Sequence, residues 1–162
     1  MADQVNINWI YPQNFNGTFP EGTASGHRRY IVQCTCYSDG TGEEDAVKVR
    51  RSDLLATNGK TPSKLVIEKI EYDVSGMTVL IDWSSTTDDR IAVLNASSGV
   101  LDWTSTGGRH INDTNDVDDA EWGNIIFNTT QDYFGISDID LPLFSPDPGT
   151  SYNITIHVKA KE

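Results

Sequence analysis

The chain has 162 residues, 37% hydrophobic and 22% charged, which is the composition of one folded domain and excludes a disordered chain. Asp and Glu outnumber Lys and Arg 24 to 12, and the resulting net charge of −12 argues against sequence-independent binding to a phosphate backbone. No apolar run approaches the roughly 20 residues that a membrane-spanning helix needs, so neither nucleic acid nor membrane is an expected partner.

Period-two patterning dominates the chain from its start. The opening MADQVNINWIYPQ has neither a basic start nor an apolar signal core, which predicts synthesis in the cytosol. Within it Val5 to Ile10 reads as a first strand, with Trp9 continuing the apolar face of Val5 and Ile7 and so expected to be buried. The stretch 14–29, NFNGTFPEGTASGHRR, has no strand pattern and forms the first of two long loops. Strands follow at Arg29 to Tyr37 and Ala46 to Arg51. In the former, Cys34 and Cys36 point to one face at a spacing that a strand cannot bridge easily, so they are expected to be free, buried and apolar in role.

A helical turn at 52–55, capped by Ser52 or Asp53, is the one place where helix is expected. Lys64 to Asp73, the turn Val74-Ser75-Gly76, and the alternating Met77, Val79, Ile81 and Trp83 together predict a hairpin with Trp83 buried. Arg90 to Leu94, residues 99–103 and Trp122 to Thr129 are further strands. The acidic stretch 105–121 forms the second long loop. The last strand is the clearest, with Tyr152, Ile154, Ile156, Val158 and Ala160 on a dry face. Eight or nine short strands with Gly and Pro turns predict an all-β fold: a single domain over 1–162, an antiparallel sandwich of jelly-roll or immunoglobulin-like winding.

The chemistry-bearing patterns are weak. In AsnAspThrAsnAspValAspAsp at 112–119, alignment on Asp113 puts Asp118 where a calcium loop of the helix–loop–helix kind has glycine, and Asn124 where it has glutamate. His27, His110 and His157 show no ligand spacing, and no second cysteine pair completes a zinc site. No metal and no cofactor is therefore expected. No nucleophile elbow is present and each histidine has an ordinary place, so no catalytic residue is assigned and an enzyme is not expected. Glycosylation sequons at Asn16, Asn95, Asn112, Asn128 and Asn153 fit the Ser/Thr-rich composition. Trp103, Trp122 and Tyr133 offer a sugar-stacking platform as a second reading. Basic residues gather at Lys48, Arg50, Arg51, Lys60, Lys64 and Lys69, which predicts one positive end on an acidic molecule, an arrangement suited to docking between protein surfaces.

Three stretches, SDLLATNGKTPSKLVIEKIEYDVSGMTVLIDW at 52–83, GNIIFNTTQDYFGISDIDL at 123–141 and YNITIHVKAKE at 152–162, resemble small virion proteins encoded near the capsid gene of tailed bacteriophages, marine ones in particular. The three stretches fall within residues 52–162, a span of about two thirds of the chain. The resemblance implies a capsid decoration or cement protein, made in the host cytoplasm. It would bind the outer surface of the assembled head, clamp neighbouring copies of the major capsid protein, and act as a trimer or dimer. A tail or neck component of the same fold is the related alternative. The residues then expected at the shell are Phe15, Phe19, Arg28 and Arg29 in the loop at 11–29, with Lys48, Arg50 and Arg51 of the basic strand.

Overall fold

A computed structural model of the chain describes residues 3–11, 29–54, 60–85, 88–112, 114–115, 117–129 and 146–161. Nine strands run in order: β1 (Gln4–Tyr11), β2 (Arg29–Tyr37), β3 (Ala46–Val49), β4 (Lys64–Ser75), β5 (Val79–Trp83), β6 (Asp89–Leu94), β7 (Ser98–Asp102), β8 (Ile125–Asn128) and β9 (Ser151–Lys161). They form a five-stranded sheet in the order β1-β2-β9-β4-β7 and a four-stranded sheet in the order β3-β8-β5-β6, antiparallel throughout.

The pairing decides between the two windings. β5 pairs with β6, β4 with β7, β3 with β8 and β2 with β9, a set of pairs nested one outside the next. A long antiparallel ribbon folded over on itself gives this pattern, and it is the jelly roll. An immunoglobulin-like order does not nest in this way.

Inside the sandwich the dry faces meet. Tyr30, Val32, Cys34 and Cys36 of β2 and Tyr152, Ile154, Ile156, Val158 and Ala160 of β9 are buried, as their alternation predicts. They join Ile81, Trp83, Ile125 and Phe127 of the other sheet in one apolar cluster. The rings of Phe127 and Tyr152 meet edge to face across the two layers at 5.6 Å. Each fully buried side chain of this size contributes about 1.5–3 kcal/mol.

Several expectations are corrected. β4 and β5 are not a hairpin: β4 pairs with β7 and β9, whereas β5 pairs with β6 and β8 in the opposite sheet. The turn between them is an arch from one layer to the other. Gly76 carries it at φ +76, and a side chain there would meet Thr150 at 2.6 Å. Alternation fixes the dry face of a strand but says nothing of the edge it pairs along, so the same residues read equally as hairpin or arch.

The turn expected at 52–55 is a single 3-10 turn, Arg51–Asp53, with no side-chain cap from Ser52 or Asp53. The first strand also departs from expectation. Trp9 is half-buried edge-on against Tyr30, with centroids 6.4 Å apart, but Val5 and Ile7 on the same side of β1 are 37% and 42% exposed. The five-stranded sheet is wider than its partner by one strand, and among the described residues no strand of the other sheet lies over β1 at its edge. In the acidic stretch, Arg109 forms a bridge with Ile67, and Gly108 permits it, since a side chain there would lie 2.2 Å from Val66.

Candidate functional site

Of the expected contact residues, Phe15, Phe19 and Arg28 lie outside the described residues; the other four fall into two groups. Arg29 and Arg50 are at the surface. Arg29 opens β2, and its Nε donates to Glu68 Oε1 at 2.8 Å, with the Arg29 side chain 61% exposed. Glu68 sits in the register shift of β4 between Ile67 and Lys69. Arg50 donates through Nη1 to both Glu121 oxygens at 3.0 and 3.1 Å, again in the open. A pair exposed on both sides, as Arg50–Glu121 is, contributes about 0–1 kcal/mol; Glu68 is 18% exposed, so Arg50 exchanges its carboxylate for that of a partner at the smaller cost.

Arg51 is committed internally. Its Nε donates to the Trp122 carbonyl and its Nη1 to the Pro62 carbonyl, both at 2.9 Å. Nη2 reaches the carbonyls of Val117 and Asp119 at 3.4 Å, and the guanidinium lies over the Trp122 ring at 5.3 Å. Burial lowers its affinity for its proton, yet an arginine remains charged. The carbonyl oxygens of the acidic loop thus converge on a cation that belongs to the chain itself. Among the described residues no three His, Cys, Asp or Glu side chains are grouped to hold a metal; Asp113 and Asp116 lie outside them.

The sugar platform is not assembled by its described members. Trp122 is 5% exposed beneath Arg51, and Trp103 is half-buried against the core. Tyr133 lies outside the described residues.

Lys48 faces inward. Its side chain is 2% exposed, its ammonium donates to Glu43 Oε2, and it lies 5.6 Å and 5.9 Å from the ring centres of Phe127 and Tyr152. The Tyr152 hydroxyl donates to the other oxygen of Glu43. The Glu43 backbone is fixed as well, its N–H donating to Thr129 Oγ1 at 2.7 Å and its carbonyl accepting from the Thr129 N–H at 2.9 Å. Strict alternation over Val47, Lys48 and Val49 places Lys48 outside. The β3–β8 register shifts between Val47 and Val49, and that bulge turns the lysine in. Lys48 is therefore removed from the surface a partner would meet. Glu43, its counter-ion, carries no distinguishing signal in the run SDGTGEED.

The two thiols lie beside this pair. Burial pushes Cys34 and Cys36 up from the ordinary 9.0 to about 12, with Glu43 adding to the shift in both and Lys48 opposing it. Thiolate is the reactive form, and at pH 8 about one molecule in ten thousand would carry it at such a value. Labelling with a thiol reagent at pH 8 is expected to be slow in the native protein and fast and stoichiometric in denaturant; rapid native labelling would contradict the burial. The raised values also set the sign of a pH effect. The folded state holds these protons more tightly than the unfolded one, so their contribution is complete below pH 9 and is lost as the pH rises toward 12. Alkaline titration of urea stability checks it.

The described residues thus define an antiparallel jelly-roll sandwich with a closed core, one buried ion pair and a surface on which Arg29 and Arg50 pair with carboxylates. Comparison with family models, with curated proteins and with solved structures gives no match.

Proposed function

We propose that the chain is a non-enzymatic virion structural protein, a decoration or cement protein that binds the outer surface of an assembled phage head. The observation that carries the reading is where the virion-like stretches fall. They contain β4, β5, β8 and β9, which are both inner strands of the four-stranded sheet and two of the three inner strands of the five-stranded one, and they contain no edge strand. The resemblance thus falls on inner strands of the sandwich and leaves all four edge strands, with β2, to vary with the partner.

The mechanism is mass action. A copy that binds only the assembled shell lowers the free energy of that state, and many copies acting together oppose its opening. On the described surface Arg29 and Arg50 are the contacts, exchanging Glu68 and Glu121 for carboxylates of the major capsid protein. Phe15, Phe19 and Arg28 complete the set in this reading.

Co-sedimentation of the purified protein with expanded shells lacking it tests the proposal. Binding is expected to saturate at a copy number on the scale of the capsid subunits and to weaken with salt. Arg29→Glu combined with Arg50→Glu should reduce affinity roughly tenfold, equivalent to about 1.4 kcal/mol. A chain that does not bind such shells is not a cement protein, and one found in a few copies at a single vertex belongs to the neck or tail.

A further inference from the structure

Edge strands are normally defended by lysines, prolines, a bulge or a covering segment, because an open row of N–H and C=O groups invites another strand. β1 has few of these defences. Its eight residues, QVNINWIY, include no charge and no proline in a chain of net charge −12. Gln4–Asn8 pair in unbroken register with Tyr37–Gln33 of β2, and the one irregularity lies beyond them, between Trp9 and Tyr11. All of Gln4–Asn8 are exposed, and no described strand pairs along their other edge. The neighbouring charge, Asp3, is turned back to its own chain, accepting from Ser38 Oγ at 3.0 Å and from the Asp39 N–H at 3.1 Å.

We propose that this edge pairs antiparallel with the β1 of a second copy about a twofold axis at Asn6, joining two five-stranded sheets into one continuous sheet. Val5 and Ile7 stand opposite Cys36 and Cys34 and so lie on the interior side of the sheet, while Gln4, Asn6 and Asn8, opposite Tyr37, Thr35 and Gln33, lie on its outer side. With Asn6 on the axis, Val5 of one copy faces Ile7 of the other and Gln4 faces Asn8. Apolar side chains therefore meet apolar ones on one face, and amides meet amides on the other. Each amide brings both donors and an acceptor, so like pairs are complementary. This is what an isologous contact requires of a single strand.

Charge selects the occupant. Two copies repel each other over most of their surfaces, and an uncharged strand is where they approach at least cost. A basic partner strand would find no carboxylate along Gln4–Asn8 to draw it there. The contact falls short of the roughly 800 Å² per partner typical of a stable complex, so the dimer is concentration-dependent. The inference stands on this edge alone and does not rest on the capsid reading.

Sedimentation equilibrium of the whole chain over about 1 to 500 µM, with hydrogen exchange of the β1 amides at both ends of that range, tests it. The weight-average mass is expected to rise from 17.9 kDa toward twice that value, with Gln4–Asn8 amides gaining protection as it rises. Ile7→Lys puts a charge on an already exposed position and is expected to weaken association about tenfold or more, with the thermal midpoint unchanged. A mass of one chain at every concentration overturns the proposal. So does association with no concentration-dependent protection in β1, because another surface would then be responsible. Protection that appears only on adding capsid shells would assign the edge to a capsid strand and overturn the dimer equally.

Discussion

Replacing Lys48 with methionine is expected to lower the free energy of unfolding by about 3–5 kcal/mol, the cost of leaving a buried charge without its partner. The side chains of Lys48 and Glu43 are 2% and 9% exposed, so little water reaches the carboxylate that remains. The Tyr152 hydroxyl still donates to Glu43, but one neutral donor does not replace an ammonium. The double variant Lys48→Met with Glu43→Gln is expected to recover most of the loss. It removes both charges and their desolvation cost, and glutamine retains an oxygen to accept from Tyr152. Equilibrium denaturation of the wild type, both single variants and the double variant gives the coupling directly. A loss below about 1 kcal/mol for Lys48→Met would mean that the pair behaves as a solvated one.

The same residue shows where the sequence can be read and where it cannot. The strands are legible because alternation is local: β9 needs only its own five apolar positions to declare a dry face, and β2 needs only Tyr30, Val32, Cys34 and Cys36. What lies across a strand depends on residues far along the chain. The inward turn of Lys48 comes from a bulge set by β8, some 80 positions away. The arch at Gly76 is decided by β6, β8 and β9, none of which its own residues specify. Arg51 reads as one more member of a basic cluster, and its role as the cation of the acidic loop appears only when Val117, Asp119 and Trp122 are brought to it. Of the candidate contacts among the described residues, sequence spacing alone does not separate Arg29 and Arg50 at the surface from Lys48 and Arg51 within. The exposed side of β1 is likewise a property of sheet width, which no single strand encodes.

Trp83 is expected to separate packing from hydrogen bonding within the core. Its side chain is fully buried at the end of β5, paired with Asp89 of β6 on one side and Ile125 of β8 on the other. Trp83→Ala should cost about 3–5 kcal/mol, the transfer of the indole plus the cavity it leaves. Trp83→Phe should cost far less than the lost volume implies. The indole N–H has no hydrogen-bond partner among the described residues, and a buried donor left unpaired costs about 1–3 kcal/mol. Phenylalanine removes that donor, so the loss of contact area is largely offset and a net change within about 1 kcal/mol is expected. Urea denaturation of the two variants decides the matter: if phenylalanine costs as much as alanine, packing alone holds this site and the unpaired N–H contributes nothing. The position makes the alanine effect global, because β5 and β6 form the innermost pair of the nested winding. Every outer pair is laid over that hairpin, and a cavity at its base loosens both sheets together.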